Sequence, residues 1–143
     1  MDKCLKKQMI QIKDRSILEF TLDMTFIVNI IYNKNKKDTD IEEIRDGYLL
    51  AKNENPECII INAGPYLWKY REQVSLDNFN ELLNNDFSTE TSNSNSNKVQ
   101  AILNKIKKTW HLFKPLEQDS IKKRLKTMLT YYATYLKSCK HLE

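Results

Sequence analysis

"ILEFTLDMTFIVNIIYN", residues 17–33, can be read in two periods, and the choice between them sets the fold class. At period two, Leu18, Phe20, Leu22, Met24, Phe26, Val28, Ile30 and Tyr32 alternate with a set that includes Glu19, Thr21, Asp23 and Asn29, as in a half-buried strand. At the helical period, Ile17, Phe20, Met24, Ile27 and Ile31 follow spacings of 3, 4, 3 and 4. Length and neighbourhood decide between the two. An unbroken strand here would be roughly three times the usual 5–6 residues, and only the short "CIII" at 58–61 offers itself as a partner. The segment is expected to be helical.

The rest of the chain agrees with that choice. Only Gly47 and Gly64 are glycines, too few for a fold built on tight hairpins, which need backbone at positive φ. Leu, Ile, Val and Phe total 38 of 143 residues, or 27%, above the range of disordered chains. "YNKNKKDTD" (32–40) reads as a polar loop, with Asp40 capping the helix "IEEIRDGYLLAKN". Ile41, Ile44, Tyr48 and Ala51 share one face of that helix. Asn55-Pro56 marks another start, with Pro56 at the first helical position.

In "NAGPYLWKYREQV" (62–74), Gly64 is expected to end or bend one helix and Pro65 to open the next, because proline cannot donate to a continuing ladder. Tyr66 and Tyr70 then stack four apart, near Leu67 and Val74. Trp68 and Arg71 are displaced round the helix, which makes them candidate partner-binding residues, since Trp and Arg are enriched at hot spots. The plainer reading is a buried Tyr/Leu face with Trp68 half-exposed. Ser75 is expected to cap a short helix over 75–87, followed by the polar, low-complexity "STETSNSNSN" (88–97), read as a loop or linker.

C-terminal to it, Val99, Ile102, Leu103, Ile106, Trp110 and Phe113 give one helical stripe, broken at Lys114-Pro115. A second stripe runs through Ile121, Leu125, Met128, Tyr132, Tyr135 and Cys139, widened by Leu129 and Leu136. The expected architecture is an all-α bundle of five to seven helices: a helical part at 1–87, the linker at 88–97, and a basic antiparallel hairpin at 98–143 packed on the first part as one domain.

"GPYLWKYREQ" (64–73), then "LLNNDF" (82–87), a polar gap, "IKKTW" (106–110) and a final helix resemble uncharacterised all-helical proteins of large AT-rich DNA viruses, over about residues 40–138. The resemblance implies a helical fold and a setting in the infected host cell, cytoplasm or virion; it carries no activity and no catalytic residue. The excess of Lys over Arg (19 to 4), with 14 Asn and 14 Ile, fits an AT-rich coding genome.

Chemistry finds no seat in the sequence. His111 and His141 are the two histidines, and Cys4, Cys58 and Cys139 form no CxxC. Neither zinc spacing nor nucleophilic machinery emerges, so no catalytic, cofactor-binding or metal residue is expected. The odd, scattered cysteines suit a reducing compartment. Glu42 and Glu43 are adjacent and so point about 100° apart on a helix, not at each other. No signal peptide is expected, because Met1-Asp2-Lys3-Cys4 leads into Lys6-Lys7 without an apolar stretch. "FIVNIIY" (26–32) falls short of the ~20 residues that span a bilayer, so membrane insertion is not expected.

Charge is more informative. Residues 98–143 carry 11 Lys/Arg against 3 Asp/Glu, and residues 1–97 carry 12 against 16. On a helical wheel Lys122, Lys126, Lys137 and Lys140 fall within about 60° on one flank of the last helix, a candidate phosphate-binding set. Arg124 is the sole Arg there, which disfavours bidentate reading of bases. The expected function is a non-enzymatic structural or protein-interaction component, binding a protein partner or a second copy of itself. The alternative is a nucleic-acid-binding accessory protein that uses the basic hairpin.

Overall fold

The computed structural model describes residues 3–75, 79–84 and 94–142, with 94–100 as backbone. Every regular element among them is helical: α1 (Lys3–Lys34), α2 (Thr39–Glu54), α3 (Glu57–Lys69), α4 (Arg71–Ser75), α5 (Phe79–Asn84), α6 (Ser94–Thr109) and α7 (Pro115–Leu142). A 3₁₀ turn, Trp110–Leu112, links α6 to α7. The all-α bundle is the fold.

Residues 17–33 belong to α1, and its burial follows the helical period. Phe20, Met24, Ile27 and Ile31 are buried and Ile17 packs against them, whereas Leu18 and Leu22, which a strand would have put on the same face as Phe20, are 56% and 50% exposed. α1 is longer than residues 17–33, reaching back to Lys3. Its main partner is α7, the last helix. Lys34 pairs with Glu117 at 2.9 Å and Asp23 with Arg124 at 3.0 Å, while Lys13 and Tyr135 meet on Glu57. Rising numbers on one helix meet falling numbers on the other, so the two run antiparallel. At 1.5 Å per residue they lie side by side for roughly 40 Å. α6 and α7 adjoin through the short link at 110–114, but α6 docks on α3, α1 and α2.

Several helix boundaries differ from expectation, each for a local reason. α2 starts at Thr39 because Asp38 caps it, its Oδ1 accepting the Asp40 N–H at 2.9 Å. α3 runs straight through Gly64-Pro65 instead of restarting there. Pro65 and Ile61, whose carbonyl loses its partner, both face solvent, where water can satisfy that oxygen. Gly64 is needed for close approach: a Cβ there would lie 2.2 Å from Cδ1 of Tyr132. The chain breaks instead at Tyr70 (φ −105°, ψ 19°), whose N–H bonds back to Leu67 at 3.1 Å. Ser75 ends α4 and caps nothing that is described. Of the expected linker, residues 88–93 lie outside the described residues, as do 85–87, and Ser94 opens α6.

The core gathers where α1, α3, α6 and α7 meet. Met24, Ile27, Leu67, Ile106 and Met128 border a residual void of about 10 Å³, which at that size holds no ligand and hardly a water. α2 is fastened by hydroxyls as well as by Ile41 and Tyr48. The Tyr48 hydroxyl lies 2.7 Å from Thr25 Oγ1, and both reach the Thr21 carbonyl, at 3.0 and 2.8 Å.

Candidate functional site

Trp68 and Arg71 sit at the corner between α3 and α4. Trp68 is half-buried, its ring edge-on to Tyr132 at 6.1 Å between centroids. Arg71 lays its guanidinium 4.9 Å over the Trp68 ring and donates to the Trp68 carbonyl at 2.9 Å. That carbonyl lies in the last turn of α3, where it also meets the Tyr70 N–H, so Arg71 braces the C-terminal end of the helix as well as the corner. Arg71 is exposed on its outer side.

The four lysines of α7 separate. Lys122 is half-buried, 5.7 and 5.9 Å above the rings of Phe79 and Trp110. Those rings stack at 4.7 Å with 23° between their planes, so the ammonium finishes an aromatic pile that fixes α5. Lys126 is half-buried and also engaged. Lys137 and Lys140 are exposed, near the end of α7. By helical rise Lys122 and Lys140 are about 27 Å apart. The four make a long edge whose two exposed members stand at one pole.

At that pole α1 carries what the sequence reading passed over. From Lys3 to Arg15 no side chain is buried, although the core-facing stripe continues back through Ser16 to Ile12, Met9 and Leu5. Leu5, Ile10 and Ile12 are 43%, 42% and 38% exposed, and Leu136 of α7 is 39% exposed. Lys13 is tied to Glu57 at 3.3 Å, at the corner where α2 gives way to α3; the stretch of α1 before that point, with the end of α7 that the antiparallel register sets beside it, forms an arm. The register of the pair carries Lys137 and Lys140 level with roughly the Ile12 and Met9 turns of α1. Among the described residues 3–15 and 137–142, Lys3, Lys6, Lys7, Arg15, Lys137 and Lys140 outnumber one carboxylate, Asp14, with Lys13 held by Glu57. The legible signal was the 4-3-4 spacing of Leu5, Met9, Ile12 and Ser16, which extends the stripe seen at 17–33.

Two further polar clusters hold helices together. Asp23, its side chain 8% exposed, accepts from Arg124 at 3.0 Å and from Thr127 at 2.7 Å, with the Arg124 guanidinium 4.4 Å over Phe26. Glu57 accepts from the Tyr135 hydroxyl at 2.5 Å, which holds its carboxyl below the usual carboxylate range, helped by Lys13. Burial and that acceptor push the Tyr135 phenol upward. Among the described residues no three His, Cys, Asp or Glu side chains gather as a metal site. No helix among them is long and apolar enough to cross a membrane. Compared with known proteins, the chain matches no family model, no curated sequence and no solved structure.

Proposed function

We propose that the chain is a non-enzymatic protein-interaction module whose working surface is the α1/α7 arm. One observation carries this: an apolar stripe continuous with the core runs on for about four turns of α1 with no buried side chain, edged by lysines. Half-exposed Leu and Ile are tolerated singly, but a row of them at helical spacing, each about 40% exposed, gains roughly 0.6–1.2 kcal/mol per side chain when a partner covers it. The Lys, Asn and Ile bias and the resemblance noted above support a large DNA virus as the setting. Trp68 and Arg71 offer a second contact at the α3–α4 corner, through the exposed side of Arg71.

The nucleic-acid reading is kept by one observation, the exposed Lys137 and Lys140 at the same pole as Lys3, Lys6 and Lys7. The deciding experiment is affinity capture from expressing cells, with and without nuclease, using the native chain and Leu5→Asp/Ile12→Asp. The interaction reading expects partners that survive nuclease and are lost with the apolar pair. Capture that vanishes with nuclease, together with duplex DNA binding whose log–log salt slope falls by about 0.9 per lysine replaced at Lys137 and Lys140, would decide for nucleic acid.

A further inference from the structure

We infer that the partner of the arm is a second copy of this chain, bound through the outer face of α2. This rests on the arm being a protein-binding surface and names what it binds. On α2, Glu42, Glu43, Asp46, Leu50 and Glu54 fall within about 120° of one another on a helical wheel, opposite the buried Ile41 and Tyr48. All five are exposed, and Leu50, at 61%, is among the most exposed large apolar side chains of the molecule. The face is therefore four carboxylates round one leucine. The arm is its counterpart in composition: on α1 cations are interleaved with the part-exposed Leu5, Ile12 and, on another side of the helix, Ile10, and α7 adds Leu136 with Lys137 and Lys140.

Opposite charge and an apolar centre on each side are what steer two surfaces together and fix their register. Arg45, the cation beside the acidic face, is turned away from it. Its guanidinium lies 3.9 Å over the Tyr32 ring and pairs with Asp46 at 3.6 Å, so Glu42, Glu43 and Glu54 are what keep the face acidic. Arm and face lie on different parts of one molecule. Contact between copies closes as a two-fold pair when both arm–face contacts form reciprocally, and as a ring when they are made head to tail.

The test uses the full chain in sedimentation velocity at rising concentration. The native protein is expected to associate at low salt and to dissociate near 0.5 M NaCl, where screening reaches within about 5 Å. Lys3→Glu/Lys6→Glu/Lys7→Glu cancels the net positive charge of the arm and leaves the face acidic; Glu42→Lys/Glu43→Lys/Asp46→Lys makes arm and face both basic. Each variant alone is expected to be monomeric. Mixed in equal amounts they are expected to form a one-to-one heterodimer, because just one of the two contacts is then complementary. A monomeric native protein, a mixture that stays monomeric, or association that persists in the α2 variant would each overturn the inference. The α2 lysines oppose the helix dipole; should circular dichroism show that variant unfolded, Glu42→Gln/Glu43→Gln/Asp46→Asn replaces it, and undiminished self-association then overturns the inference. A native chain that stays monomeric but loses nuclease-resistant cellular partners with Leu5→Asp/Ile12→Asp would leave the protein-interaction reading standing while this inference falls.

Discussion

Gly64 shows how little room one position can have. The Tyr132 ring lies against α3 where a side chain would begin, 2.2 Å from the place of a Cβ, and the same ring packs edge-on with Trp68. Gly64→Ala improves helix propensity by about 1 kcal/mol but drives a methyl group into that ring, and overpacking of this kind costs about 1–3 kcal/mol. The expected result is a net loss of stability in urea unfolding. In the background of Tyr132→Leu, which clears the space, the same alanine is expected to be neutral or stabilising. Equal losses in both backgrounds would mean that the ring is not what excludes the methyl. From sequence, Gly64-Pro65 read as a break, since both residues disfavour helix; their tertiary setting, a ring on one side and water on the other, is not written locally.

At the scale of elements, the α1/α7 pair depends on a polar latch midway along its seam. Asp23 serves two donors from α7 while almost wholly buried, and Arg124 is 41% exposed. Asp23→Ala is expected to cost about 1–3 kcal/mol, the range for stranding a hydrogen-bonded group, and less than a fully buried pair because Arg124 can turn to water. A double-mutant cycle with Arg124→Ala in urea checks it: coupling of at least ~0.5 kcal/mol is expected, and strictly additive losses would show the latch to be inert. Helices were the most legible elements. The stripes in 17–33, 102–113 and 121–139 set both their type and their buried faces, because periodicity records which side meets the core. Which helix meets which was not legible: α1 and α7 have similar stripes, and nothing local says that the first would choose the last. The arm was missed for the same reason, since Leu5, Met9 and Ile12 look like ordinary core positions until the structure leaves them uncovered.

For the whole molecule, stability against pH follows from groups whose proton affinity folding has changed. Burial pushes Tyr48 up to about 12, with the Thr25 hydrogen bond opposing, and Tyr135 and Tyr132 shift the same way. The folded state therefore holds phenolic protons that the unfolded chain has lost. Stability from Tyr48 is fully present below pH ~10 and lost as pH rises toward 12, about 2–3 kcal/mol at roughly 1.4 kcal/mol per pH unit of difference. In acid the carboxyls act in the opposite sense. Asp38 is lowered by the Lys105 hydrogen bond, Glu57 by Tyr135, and Glu117 by the Lys114 N–H and then Lys34; what they contribute is present above their unfolded values and lost as pH falls. Urea midpoints measured from pH 9 to 11.5 should drop more steeply in the native protein than in Tyr48→Phe, and parallel curves would remove Tyr48 as the cause.

The antiparallel union of α1 with α7 also has a consequence in time. About eighty residues separate the end of one from the start of the other. At a synthesis rate of roughly 5–20 residues per second, α1 waits about 4–16 s for its principal partner to be made. During that interval its stripe, including Phe20 and Ile27, has only α2 to α6 to shelter it, and these close the rest of the core but not the seam. Until α7 has been made, the seam that it will cover stays open to solvent together with the exposed side chains at the start of α1.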